Sequence, residues 1–412
     1  MQSNELEAET FQEKTSWPRV FLFVGAGIVT AFQVGKAPPV LPIIRAEFGM
    51  SLFFAGWILS IFNVIGLISG SITGVVADAF GHRRLLLWGF CLQIAGCLIG
   101  SLSGGPVLLL VTRVFEGIGF LVIATSGPAL IFRATQPKDL RLALSLWSSF
   151  LPAGAAIIMF ATPLIVGFLS WRALWQINAL TLILYAVLVA RKTKYLATQS
   201  IPGEIRLRKL IQDIKLTATS LGPVLLALIF GAYTMQWFAM MGFLPTMLIE
   251  DQGLSMNRAA VLTAITVALN VPGNLLGGWL LQRGFRRSRL IASANLIMGL
   301  CSLAIYSQSL PFWMQYSACL FFTVSGGLLP ASVLGGAPVY APNRALVATT
   351  TGLIMQGSQL GHAMGPPVLA VIVSSFGGWH AAPLALGSAA VVGLFLSLAL
   401  ATLERQKERF KG

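Results

Sequence analysis

Gly74-Val75-Val76-Ala77-Asp78-Ala79-Phe80-Gly81-His82-Arg83-Arg84 joins two long apolar runs, and its spacing returns about two hundred residues later. The second copy reads Gly277-Gly278-Trp279-Leu280-Leu281-Gln282-Arg283-Gly284-Phe285-Arg286-Arg287, with Leu281 where the first has Asp78. In each copy the glycines let helices pack closely and the chain reverse. The arginine pair that follows faces water. One such turn is an ordinary basic loop between apolar segments; two in register point to an internal duplication.

Composition sets the class around these loops. Of 412 residues, 56% are hydrophobic and 10% charged, too few charges for a soluble chain of this length. A net charge of +14 would suggest a nucleic-acid partner if it formed one patch, but the basic residues lie in short loops between apolar runs. No nucleic acid is expected. Cys91, Cys97, Cys301 and Cys319 all fall within apolar runs and read as free thiols, with neither a disulfide nor a metal site. Glu5, Glu7, Glu9 and Glu13 reverse the charge of a signal peptide, so the first apolar run should be retained.

A bilayer core asks for about 20 apolar residues per helix. On that measure the first half holds spans near 18–44, 51–78, 84–103, 106–133, 140–168 and 171–190. The second half holds spans near 220–249, 255–281, 287–308, 311–339, 345–375 and 380–402. Loops on one side carry Lys14, Arg19, Arg83, Arg84, Lys138, Arg141, Arg191, Lys192, Lys194, Arg283, Arg286, Arg287, Arg289 and Arg344; the other side has Arg45, Arg172 and Arg258. The positive-inside rule then places both termini in the cytoplasm of a multi-pass inner or plasma membrane protein. The tails are 1–17 and 403–412, the bundles 18–190 and 220–402. The linker, 191–219, has Leu207, Leu210, Ile211 and Ile214 at helical spacing among basic residues, as in an interfacial helix.

The halves match outside the loops too. Gln33…Leu41-Pro42 aligns with Gln236…Leu244-Pro245, Arg141…Pro163 with Arg344…Pro366, and Ser170-Trp171-Arg172 echoes Gly378-Trp379-His380. Parallel six-helix repeats belong to transporters. The G-x-x-x-D-x-x-G-x-R-R loop resembles the signature of the major facilitator superfamily, and Trp171-Arg172 resembles that family's cyanate and nitroimidazole permease branch. The resemblance implies an all-α membrane protein of twelve transmembrane helices in two six-helix bundles related by pseudo-twofold symmetry. It also gives Gly74, Asp78, Gly81, Arg83 and Arg84, with Gly284, Arg286 and Arg287, a gating role, Asp78 latching the two bundles. Leu151-Pro152-Ala153-Gly154 departs from the glycine-proline motif of the family's drug antiporters.

Polar residues shared by both halves suit a scaffold, and those in one half suit function. Gln33 and Gln236 are shared; they bind a substrate from two sides or bond between helices. Lys36 aligns with Ala239 and precedes Pro38-Pro39, which should loosen the first helix. It is a substrate-binding candidate, the alternative being a lysine snorkelling to the interface. Arg113-Val114-Phe115-Glu116-Gly117-Ile118-Gly119 resembles a second motif of the same family. Arg113 and Glu116, three apart, can pair on one face. Glu116 is the deepest carboxylate and the leading proton carrier, with Arg113 as switchable partner and substrate ligand; otherwise the pair is permanently closed and fixes packing. His362 sits among Gly357, Gly361 and Gly365, as a secondary proton group or a packing residue.

No phosphate-binding loop, metal cluster or nucleophile elbow occurs, so neither an enzyme nor an ATP-driven pump is expected, and no cofactor. The sequence reads as a monomeric secondary transporter whose partners are protons, the lipid bilayer and a small anionic or polar organic solute, taken up by alternating access. Proton-coupled efflux is the alternative, and a non-transporting sensor or scaffold the third reading.

Overall fold

The computed structural model describes residues 14–194, 207–343 and 346–409, with the side chains of 68–80, 141, 145, 207–210 and 407–409 outside that description. Glu5, Glu7, Glu9, Glu13 and Arg344 also lie outside it, as do the surroundings of Gly74 and the side chain of Asp78. No strand occurs among the described residues. The first half consists of α1 (Trp17–Gly35), α2 (Ala37–Phe48), α3 (Leu52–Phe80), α4 (His82–Ser101), α5 (Pro106–Ala134), α6 (Pro137–Ser148), α7 (Phe150–Phe168) and α8 (Trp171–Lys192). After α9 (Leu207–Ala218) come α10 (Leu221–Glu250), α11 (Met256–Ala268), α12 (Asn270–Gln282), α13 (Arg287–Ile305), α14 (Phe312–Leu334), α15 (Ala337–Tyr340), α16 (Val347–Ser375) and α17 (Ala382–Arg409).

Ten helical stretches are long and apolar enough to cross a membrane, and the 29-residue helices α3 and α16 bring the long stretches to twelve. α16 is the more polar of these two because Gln356, Ser358, Gln359 and His362 interrupt its apolar residues.

Three expected spans are each a pair of helices of twelve or more residues, and the tenth, expected near 311–339, is α14 followed by the four-residue α15. The first, read as ending near 44, runs on to Phe48 and breaks at Lys36, just ahead of Pro38 and Pro39. The fifth breaks at Ser149, three residues before Pro152, and the eighth at Leu269, three before Pro272. In each case the imino nitrogens remove helical hydrogen bonds at the joint.

Within the first half α1 packs on α7, α3 and α4 on α5, and α4 on α8; within the second, α10 packs on α16 and α17, and α14 on α12 and α13. Lipid tails are as apolar as leucine, so close backbone approach must hold such helices together. The Gly357, Gly361 and Gly365 ribbon of α16 provides it. A β-carbon on each would come within 2.1 Å of Ala227 O, 2.1 Å of Gly231 O and 2.5 Å of Met235 O on α10.

The duplication is visible in the backbone. Gly81 and Gly284 hold φ of 86° and 85°, and Gly49 and Gly253 hold 60° and 63°. A side chain is strained at such angles, so both basic turns need glycine where they have it. After the first turn, Arg83 donates to Ala190 O (3.2 Å) and Thr193 Oγ1 (3.0 Å), closing the end of α8. After the second, Arg287 donates to Ser332 O near the end of α14. Each guanidinium satisfies terminal carbonyls at the negative end of a helix.

The halves meet through α3 against α16, α7 against α11, and α2 against α10. Many of the described contacts gather at the end away from the basic turns. There Gly56 lies against the backbone of Pro366 and Pro367, and Gly242 against Leu59. Arg45 forms a 2.6 Å ion pair with Glu250 across the same seam.

Candidate functional site

Lys36 stands at the joint between α1 and α2 with helical backbone (φ −69°, ψ −32°), and its side chain is fully buried in the middle of the first bundle. Each of its three N–H groups finds an acceptor: Gln33 Oε1 at 2.6 Å, Glu116 Oε1 at 2.8 Å and Cys97 Sγ at 3.2 Å. The ammonium also lies 4.3 Å from the centre of the Trp175 ring, whose face attracts a cation. Snorkelling is therefore excluded in this conformation.

Arg113 approaches the same carboxylate from below on α5. It donates to Glu116 Oε2 at 2.5 Å, to the backbone oxygen of Gln33 at 2.7 Å and, through Nε, to Ile58 O at 3.1 Å. Its guanidinium carbon lies 4.9 Å from the Phe62 ring centre. Glu116 thus holds one cation on each oxygen, and all three charged side chains are at most 1% exposed. Two cations and one carboxylate leave a formal charge of +1 in the middle of the bundle. Burial of that kind is costly unless every charge is paired and hydrogen-bonded, which this arrangement achieves.

The glycines of R-x-x-x-G-x-G explain the tightness. A β-carbon on Gly117 would stand 2.2 Å from Phe62 O of α3, and one on Gly119 would stand 2.4 Å from Gly89 O of α4. These approaches seal α5 against both neighbours and keep water from the charges. Cys97 completes the ring, its thiol donating to Gln33 Oε1 at 3.2 Å. Gln33 Nε2 is left buried without a hydrogen-bond partner.

Of the residues singled out in the sequence, Gln33, Lys36, Arg113 and Glu116 come together. The others do not join them. Gln236 is buried in the second bundle, donating to Asn295 Oδ1 (3.3 Å) and Ala232 O (3.1 Å). His362 packs edge-on against Phe238, ring centres 4.7 Å apart, with Nδ1 buried and unpartnered. Gly81, Arg83, Gly284, Arg286 and Arg287 shape the basic turns, and Arg84 is exposed beside them. The expected latch at Asp78 lies outside the described side chains.

Sequence reasoning missed Cys97 and Trp175 as members of the ring. It also missed a matched pair of clamps at the far end. Glu47 accepts from Trp171 Nε1 at 2.6 Å and from Arg172 at 2.6 Å; Glu250 accepts from Trp379 Nε1 at 3.1 Å and from Arg45 at 2.6 Å. Trp171-Arg172 and Trp379-His380 align in sequence, and the two glutamates, two and three residues before a positive-φ glycine, carry the remaining signal.

Known proteins share this plan. Residues 23–366 match the description Major Facilitator Superfamily. An uncharacterized MFS-type transporter, YceJ, of Bacillus subtilis is 24% identical over 347 residues, 82% of this chain and 85% of that protein. The puromycin resistance protein pur8 of Streptomyces alboniger is 30% identical over 170 residues, 40% of this chain but only 33% of the relative. The crystal structure of a bacterial homologue of the human lysosomal transporter Spinster, inward-facing and unoccupied, superposes with a TM-score of 0.73 at 16% identity, covering 94% of this chain and 95% of that one. A twelve-helix duplicated fold, a buried charge cluster and a family match over most of the length lead to one conclusion: the chain belongs to the major facilitator superfamily, as a multi-pass membrane transporter and not an enzyme.

Proposed function

We propose that the protein is a proton-coupled secondary transporter taking up a small anionic or polar organic solute, with Glu116 as the proton carrier. The supporting observation is that one buried carboxylate holds two cations from two helices, one of them at a helix break. A protonated Glu116 no longer neutralises Lys36 and Arg113, and the released cations then favour an anion. Proton and anion therefore promote each other's binding, the coupling a symporter needs. Gln33 supplies hydrogen bonds to the same place, while Gln236 and His362 are held within the second bundle by Asn295 and Phe238. Lys36 stands at the joint between α1 and α2, so its release and a change in that helix's angle are one event.

Residues 18–190 and 220–402 are the rocking bundles and 191–219 their linker, with tails 1–17 and 403–412 in the cytoplasm. One chain suffices, since the cluster and both clamps are complete within it.

The test is paired transport in proteoliposomes. Glu116→Gln should lose accumulation driven by an imposed pH gradient and keep counterflow of labelled solute at equal pH. Gradient-driven accumulation at the parent rate would remove Glu116 from the mechanism and promote His362.

Efflux is the second reading, favoured by the likeness of 170 residues to a puromycin resistance protein. In that case Glu116 would exchange a proton for solute, and an outward-directed solute gradient would acidify the compartment that the solute leaves.

A further inference from the structure

We infer that the second bundle carries a binding site for the phosphate of an anionic phospholipid, in the cleft between the start of α13 and the end of α17. The cleft, about 150 Å³ in volume, is lined by Arg286, Arg289 and Arg405 together with Ser288, Leu398 and Glu404. It adjoins a more open hollow walled by Arg283, Arg286 and Arg289. Arg286 and Arg289 border both hollows, with Arg405 on the first and Arg283 on the second. The single carboxylate there, Glu404, is already committed, accepting from the backbone N–H and the hydroxyl of Ser288 at the start of α13. The surplus is positive, and it lies at an end of the membrane-crossing helices, where headgroups are.

The surroundings point to a lipid and not to free phosphate. Leu398 is 55% exposed on the wall of the cleft, and Phe395, one turn deeper on α17, is also exposed. This provides a greasy strip leading from the arginines toward the bilayer centre. On the other side, exposed Trp279 and Phe285 flank the turn, and the Arg283 guanidinium lies 4.0 Å from the Trp279 ring centre. Aromatic and basic residues in that combination mark the interface between headgroups and acyl chains. A phosphodiester seated between Arg289 and Arg405 would run its chains down that strip.

The first bundle does not repeat this set of arginines. Arg83, the counterpart of Arg286, is used to close α8, and the counterpart of Arg289 is the buried Leu86. Helix α17 also continues to Arg409, carrying Glu404 and Arg405 beyond the point that α8 reaches. The site is therefore a property of one half.

The test is lipid retention by the purified full chain, read by native mass spectrometry after titration with phosphatidylglycerol or phosphatidylcholine. The parent should retain one phosphatidylglycerol preferentially. Arg289→Gln with Arg405→Gln should weaken that retention by about thirtyfold, the order that two basic contacts with an anionic lipid supply. Arg133→Gln with Lys138→Gln, which removes the same charge elsewhere, should leave it intact. All four side chains are exposed, so folding is not at stake. Equal retention in the first double variant and the parent would overturn the site. So would displacement of the lipid by millimolar inorganic phosphate, or equal loss in the control double variant.

Discussion

The two halves share a backbone plan and differ in what they bury at their centres. Arg113 and Glu116 are the eighth and eleventh residues of α5; the eighth and eleventh of α14 are Cys319 and Phe322, both buried. Lys36 has Ala239 as its counterpart. The first bundle therefore carries three buried charges where the second carries a thiol, a phenyl ring and a methyl group. In the second, Gln236 bonds Asn295, and Asn270 bonds Tyr233 (3.3 Å), all neutral partners. One bundle is built around a buried cluster of three charges, and its partner around neutral hydrogen-bonded groups.

The largest effect should come from unbalancing the charged centre. Glu116→Leu strands two cations and should destabilise the protein by about 3–5 kcal/mol, the cost of breaking a buried pair. Lys36→Met leaves the Arg113–Glu116 pair neutral and should cost clearly less. Thermal unfolding in detergent checks the order, and equal losses would mean that the ring is packed chiefly by its hydrogen bonds.

Next in size is an attempt to make the halves alike. Ala239→Lys puts an ammonium where Phe322 and Cys319 offer no carboxylate, at a cost of roughly 2.5–3.5 kcal/mol near the bilayer centre. Adding Phe322→Glu should recover part of it. Should Ala239→Lys alone be harmless, the second bundle is wetter than its buried residues indicate.

The smallest effect concerns the clamps. Glu250→Gln removes a half-exposed ion pair, worth at most about 1 kcal/mol, so stability should hardly move. Its seam should open more often, raising the labelling rate of a cysteine placed at Leu59 by up to about fivefold. His380→Arg offers Glu250 a guanidinium from its own half, as Arg172 does for Glu47, and by competing with Arg45 for that carboxylate should produce a milder version of the same change. Unchanged labelling in both would show that apolar contacts, such as Gly56 on Pro366, hold the seam unaided.

Much of this was legible from local rules. The basic turns repeat in sequence because each needs a left-handed glycine and an arginine that closes a helix end. Arg113 and Glu116 lie three apart, so a helix alone brings them together. Lys36 and Glu116 are 80 residues apart, and their pairing depends on how α1 is rotated at its break, which only packing decides. Pro152 and Pro272 were in plain view, yet membrane helices often absorb proline without breaking, so the joints at Ser149 and Leu269 were read as continuous. Glu47 and Glu250 looked like ordinary charges at loop edges, and their tryptophan partners lie more than 120 residues away.

The seam pair has a consequence for how the molecule meets its medium. Arg45 and Glu250 are 31% and 40% exposed, whereas Lys36 and Glu116 are wholly covered. Mobile ions reach the first pair and not the second. As the screening length falls from about 10 Å at 0.1 M salt to about 3 Å at 1 M, the seam's electrostatic hold weakens while the buried cluster keeps its full strength. Salinity on that side of the membrane therefore acts as a tuning knob on how readily the molecule opens there, without altering the chemistry at its centre.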